Sequence, residues 1–259
     1  MKKLLIILLT LSILPISTYA KNLTGRDIAK MVDTANQSEM GLVIKGSMIL
    51  KDLTSRDIEK RKYCNLSTKV NGLTRTLFRF ESSSYKGTTF LTIEKPNKKN
   101  IQYLYLRSIG SPRQVESSDK ENNFLDTDIA NEDLGGVNIN EYNYKRLPDR
   151  KIGDIDCYVI EQYPKSKSSK YQKHTIIVDK KRLTPIAVKA YNKGGRLVKT
   201  IRENDIRKIG KNIFYPFEMI ITDIQKKHQT IVKLESAKEK IINRGYFNKN
   251  RMNRSWTEE

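Results

Sequence analysis

Residues 74–82 read Thr-Arg-Thr-Leu-Phe-Arg-Phe-Glu-Ser, and their alternation sets the fold class. In an extended chain successive side chains point to opposite faces, so Phe78 and Phe80 share one face while Arg75 and Arg79 share the other. One apolar and one wet face is the signature of an antiparallel sheet covered on a single side.

The same period spreads outward. After Gly41, Leu42, Ile44, Met48 and Leu50 alternate with Lys45, Ser47 and Lys51. Strand-like runs follow at 64–70, 87–94 and 101–107, then at 142–147, 157–163, 174–179, 185–191, 197–209, 212–224 and 229–235. Gly, Asn and Ser punctuate them, with Asn192-Lys193-Gly194-Gly195 as a tight hairpin signal. This predicts about ten consecutive antiparallel strands. Ahead of them, 22–39 reads as an amphipathic helix, with Thr24 and Asp27 as a capping box and Ile28, Met31, Val32 and Ala35 as its apolar stripe.

Two stretches break the pattern. Residues 108–141 predict a loop with one or two short helices, and 116–133 holds seven acids and one lysine, anchored by Phe124, Leu125, Ile129 and Leu134. That loop reads either as a solvated surface or as a lid over the sheet. The tail 238–254 carries six bases and one acid and is expected on the surface.

The 259 residues include 49 Lys+Arg against 29 Asp+Glu, a net charge of +20, with 37% hydrophobic residues. Such a charge alone suggests a polyanion. The first twenty residues change that reading. Lys2 and Lys3 precede an apolar run from Leu4 to Leu14, Pro15 breaks it, and Thr18-Tyr19-Ala20 ends it on small residues. This is a cleavable signal peptide, too short for a transmembrane anchor, which needs about 20 apolar residues. One mature domain is expected over 21–259, in the periplasm and away from nucleic acid. The charge then reads as attraction to an anionic membrane surface, or simply as the Lys-, Asn- and Ile-rich composition of an AT-rich genome. Cys64 and Cys157 permit one disulfide in an oxidising compartment, or stand as two buried thiols in separate strands.

No chemistry announces itself. The chain has no glycine-rich phosphate loop, no GxSxG elbow, and only His174 and His228 with no metal-ligand spacing. The carboxylates Asp126, Asp128, Glu132 and Asp133 sit in hydrophilic sequence, without a sign of the raised pKa that acid catalysis needs. No catalytic residue, metal or cofactor is expected. The reading is a mainly β (α+β) protein whose curved antiparallel sheet forms an incomplete β-barrel closed by helices. The gap between sheet and plug suits acyl chains, at about 0.8 kcal/mol per buried methylene, although a filled core would give the same periodicity.

Further motifs carry a resemblance. Tyr85-Lys86-Gly87-Thr88-Thr89-Phe90-Leu91, Gln102-Tyr103-Leu104-Tyr105-Leu106, Phe124-Leu125-Asp126-Thr127-Asp128-Ile129 and Glu132-Asp133-Leu134 come in order, followed by Cys157-Tyr158-Val159-Ile160-Glu161, Val178-Asp179-Lys180, the 191–199 run and Ile213-Phe214-Tyr215-Pro216. Together they resemble the bacterial outer-membrane lipoprotein-sorting protein family, related to the LolA/LolB lipoprotein carriers. That family usually has Gly where Asp126 stands, and Pro with paired Arg after Leu106, where only Arg113 remains as a basic contact. The resemblance implies a LolA-like incomplete barrel, and a monomeric carrier that moves the acyl chains of a lipoprotein or other lipid toward the outer membrane. The alternative it leaves is a non-catalytic accessory or sensor subunit docked on an RND-type inner-membrane transporter.

For the carrier, the expected cavity lining is Leu42, Ile44, Met48, Phe78, Phe80, Leu91, Ile93, Val178, Val188 and Val232, and the expected lid or partner contacts are Arg113, Phe124, Leu125, Asp128, Glu132 and Asp133.

Overall fold

The computed structural model describes residues 23–95, 100–116, 119, 122–135, 138–211, 213–254 and 256. The signal peptide at 1–20 lies outside the described residues.

Helix α1 spans Gly25–Ala35. Its capping box forms as expected: Asp27 N–H donates to Thr24 Oγ1 at 3.2 Å, and Thr24 N–H donates to Asp27 Oδ2 at 2.9 Å. The helix holds the whole apolar stripe but is shorter than the expected 22–39, because Asn36 leaves helical geometry and its side chain does other work. It donates to the Arg182 and Leu183 carbonyls at 3.2 and 3.0 Å and accepts from Phe214 N–H at 2.8 Å. At the other end, a Cβ on Gly25 would lie 2.8 Å from the Lys145 carbonyl carbon, so only glycine lets the helix sit this close to the sheet.

Thirteen strands follow among the described residues: β1 Leu42–Asp52, β2 Ile58–Val70, β3 Leu73–Phe80, β4 Thr89–Ile93, β5 Ile101–Tyr105, β6 Pro112–Gln114, β7 Tyr142–Ile152, β8 Ile155–Pro164, β9 Tyr171–Asp179, β10 Pro185–Asn192, β11 Leu197–Lys208, β12 Phe214–Asp223 and β13 His228–Glu239. They form one antiparallel sheet in the order β6-β5-β4-β3-β2-β1-β13-β12-β11-β10-β9-β8-β7. The strands run as two meanders joined where β1 pairs with β13. The ends, β6 and β7, do not pair, so the curved sheet is an incomplete barrel. Strand β13 bulges at Glu235 against Lys45 and Gly46 of β1. A Cβ on Gly46 would lie 2.3 Å from the Lys233 carbonyl oxygen, so the bulge requires glycine.

Helices close this barrel less than expected. Among the described residues only α1 is α-helical, and 3₁₀ turns at Asp133–Gly135 and Ile139–Glu141 stand within the expected helical stretch 108–141. Strand β6, three residues beginning with proline, was not foreseen; it sits at the edge, where a missing N–H is tolerated.

Both faces of β1–β5 are covered, which corrects the one-sided reading of residues 74–82. Inside, Ile44, Met48, Tyr63, Phe78, Phe80, Phe90 and Leu104 pack against Phe124. Outside, Val43, Leu66, Leu77, Leu91 and Tyr105 pack against Ile242, Phe247, Met252 and Trp256 of the C-terminal tail. The basic tail is therefore a built part of the fold. Arg79 lies 3.8 Å over the Trp256 ring, and Arg75 donates to the Phe247 carbonyl at 3.3 Å. The arginines that marked a wet face are the tail's supports.

No disulfide links the cysteines. Cys64, on the outer face of β2, and Cys157, on β8 far away in the sheet order, are both buried and unbridged to each other. No helix among the described residues is long and apolar enough to cross a membrane.

Candidate functional site: the inner face of the sheet

Cross-strand register defines the inner face. One row runs Ile160, Ile176, Val188, Ile201, Ile221, Thr230, Leu50 across β8 to β1. The next runs Glu203, Met219, Val232, Met48, Arg61. These rows are not evenly filled. Leu50, Met48 and Arg61 are 5%, 3% and 1% exposed, sealed by the segment 122–135. Ile176, Val188, Ile201, Glu203 and Met219 remain partly accessible, as do Met31 and Val32 on the stripe of α1. The inner face is thus a packed core at β1–β5 and, at β9–β12, a partly accessible apolar recess in which Val178 and Ile221 are nonetheless buried.

The filling segment rests on Phe124. Its ring stacks on Phe80 at 5.8 Å and meets Phe78 and Phe90 edge-on at 5.8 and 5.4 Å. The turn after it places Leu125 at φ 46° and Asp126 at φ 63°, the left-handed region where glycine is at ease. Tyr85 Oη donates to Asp126 Oδ2 at 2.6 Å and holds that turn.

Of the acids of this segment only Asp128 is buried; Glu132 is half-buried, and Asp126 and Asp133 are exposed. Asp128, 1% exposed, accepts from Thr230 Oγ1 at 2.7 Å, and its Oδ2 lies 2.7 Å from His228 Nδ1. Asp133 accepts from Lys199 Nζ at 2.9 Å and from Tyr171 Oη at 3.1 Å. Burial pushes the Asp133 carboxyl up, but Lys199 outweighs it and holds the group below the usual carboxylate range. Glu132 accepts from Lys170 N–H at 3.3 Å, and burial, then Asp133, raises its carboxyl. Arg61, buried in the core, donates to the Leu125 carbonyl and lies 4.4 Å over the Tyr85 ring. The hydrophilic look of this stretch conceals that the polar partners of the segment, Arg61, Lys170, Lys199, His228 and Thr230, lie far away in sequence.

Of the expected lining residues, Leu42, Ile44, Met48, Phe78, Phe80, Val178 and Val232 are buried and Val188 stays partly accessible, all on the inner side. Leu91 and Ile93 are the correction: they pack on the outer face beneath the tail. Strand β4 is buried on both faces, so its sequence has no alternation to assign a side. Of the expected lid contacts, Phe124, Leu125, Asp128, Glu132 and Asp133 come together, while Arg113 stands exposed on β6 without a bond to the described residues.

Comparison with known proteins places this geometry. A family model described as "Uncharacterized protein" matches residues 72–254. A putative outer membrane lipoprotein-sorting protein domain from Vibrio parahaemolyticus is 26% identical, with a TM-score of 0.84 over 89% of this chain and 98% of that one. The chain belongs to the LolA-like lipoprotein-sorting family. Two more distant members of the LolA-like fold agree in architecture. A DUF1329 family protein from Desulfovibrio piger is 21% identical (TM-score 0.82, 88% of this chain, 97% of that one), and the LolA superfamily protein NE2245 from Nitrosomonas europaea is 19% identical (TM-score 0.69, 88% and 99%). No curated protein matches the chain. The open antiparallel sheet is therefore a LolA-like fold, and on its inner face Ile176, Val188, Ile201 and Met219 of β9–β12 stay partly accessible.

Proposed function

We propose that the protein is exported to the periplasm and there carries the acyl chains of a lipoprotein or another lipid, without catalysis, toward the outer membrane. The observation that carries this reading is the uneven filling of one face. Side chains of the same rows are sealed under Phe124 yet partly accessible at Ile176, Val188, Ile201 and Met219. Apolar surface of that kind, inside a fold, gains from hydrocarbon at about 25 cal/mol per Å². Entry lies beside α1. The segment 122–135 is latched by buried charges, whereas α1 buries only Gly25 and Ile28 and is tethered through Asn36. The test is transfer of a fluorescent diacyl lipid from donor to acceptor vesicles. Acceleration in proportion to protein concentration is expected; a rate equal to the protein-free control would overturn the reading.

A second reading, an accessory subunit docked on an RND-type transporter, draws on the outer face. There Leu147, Val159, Ile177 and Ala187 floor an open groove of about 420 Å³, rimmed by Arg150, Lys173 and Lys189. Stable pull-down of a transporter by protein that carries no lipid would favour it over the carrier.

A further inference from the structure

The partly accessible side chains of the inner-face rows include an acid, Glu203. Glu203 follows Ile201 on the same side of β11 and faces Met219 across the ladder, with Val232 and Met48 completing its row. Among the described residues it has no hydrogen bond and no ion pair. At the far end of the row, Arg61 cannot serve, because Glu59 and the Leu125 carbonyl occupy it. Tyr215 of β12 is the titratable neighbour whose charge state couples to Glu203. The side chain is partly open to water, yet desolvation alone pushes its carboxyl up to about 8. A group both accessible and strongly desolvated sits in a recess, since on open surface water would hold it near its ordinary value.

Resting on the carrier reading above, we infer that Glu203 is the polar recognition point of the recess, and that it selects amphiphiles whose head bears a protonated amine while the chain lies along Ile201, Val188 and Met219. Hydrocarbon alone would be served better by another apolar residue here, and an unpartnered carboxyl inside an apolar wall is costly unless something fills its hydrogen bonds. An ammonium group supplies donors only, which match the two acceptor oxygens of a carboxylate. The carboxyl, neutral when the recess is empty, gives its proton to solvent as the ammonium enters; the amine keeps its own. A fatty-acid carboxylate finds no cation at this position.

The test is competitive displacement of a fluorescent fatty-amine probe from the purified full chain at pH 7, using dodecylamine, dodecanol and dodecanoate, each below its aggregation limit. Dodecylamine is expected to bind at least tenfold tighter than the other two. E203Q, isosteric and neutral, is expected to bring dodecylamine to the level of dodecanol while dodecanol binding stays within twofold, and calorimetry in two buffers is expected to show proton release on wild-type binding that E203Q lacks. Equal affinity of the wild type for amine and alcohol, or an amine preference that survives E203Q, overturns the inference and leaves the carrier standing. Binding of none of the three overturns the carrier reading and this inference with it.

Discussion

Lys199 Nζ and Asp133 Oδ2 lie 2.9 Å apart, the lysine only 3% exposed, and this pair joins the segment inside the barrel to strand β11. Lys199 alone would be a desolvated charge, whereas the Asp133 side chain keeps 26% of its surface in solvent. Asp133→Asn is expected to destabilise by about 2–4 kcal/mol, because it strands Lys199, whereas the double change with Lys199→Met is expected to recover most of the loss. Urea unfolding of both variants checks this; a double variant no better than the single one would contradict the pairing.

The aromatic cluster gives a larger effect. Phe124→Ala removes a ring in contact with Phe78, Phe80 and Phe90 and is expected to cost about 3–5 kcal/mol. Limited proteolysis is expected to cut the variant within 122–135 while the strands remain protected. Unchanged cleavage would show that Phe124 does not anchor the segment.

These effects explain what the sequence conceals. The strands were legible because alternation survives wherever one face is wet, as in β7, where Tyr142 and Tyr144 alternate with the exposed Asn143 and Lys145, and the capping box of Thr24 and Asp27 was legible because it is local. Long-range pairing was not. With 49 Lys+Arg in the chain, nothing distinguishes buried Lys199 and Arg61 from their solvated neighbours. The tail was unreadable for a related reason. Ile242, Phe247, Met252 and Trp256 follow no helical or strand period and stand among bases that suggest a surface. Glu203 gave no signal at all, since an acid inside a strand normally marks its outer face.

Removal of the tail is therefore expected to expose core. Truncation after Lys240 uncovers Leu66, Leu77 and Leu91, now at most 1% exposed, and is expected to raise anilinonaphthalene-sulfonate fluorescence several-fold and cause aggregation. Trp256→Ala, losing the ring beneath Arg79, is expected to cost about 3 kcal/mol. A truncated chain as soluble and stable as the intact one would refute the tail's structural role.

Two groups give stability opposite pH slopes. Burial depresses His174 to about 4 against an ordinary 6.5, so between these values the unfolded chain binds a proton that the native chain refuses, and stability falls as pH drops through this window. Glu203 is raised from 4.5 to about 8, so the native chain holds a proton that the unfolded chain loses, and stability falls as pH rises from 4.5 to 8. His174→Gln is expected to remove the first slope. Glu203→Gln is expected to remove the second and to stabilise the protein at pH 8 by about 1–3 kcal/mol. Thermal melts from pH 4 to 8 resolve both; parallel curves for wild type and variants would contradict the assignments.

The cysteines are expected to behave as inert thiols. Burial first raises the Cys157 thiol, and Cys64 lies under the tail. Ellman's reagent is expected to find no reactive thiol in the native protein and two after denaturation without reductant. A count of zero after denaturation would show a bridge.

The central claim is that the unfilled half of the inner face, from β9 to β12, holds lipid. Native mass spectrometry of protein purified from the periplasm without detergent tests it most directly. The expected spectrum contains a species heavier than the chain by the mass of one lipid, which collisional activation releases and which Val188→Trp, by filling the recess, abolishes without loss of fold. A spectrum of bare chain alone, unchanged after incubation with lipid vesicles, would contradict the account.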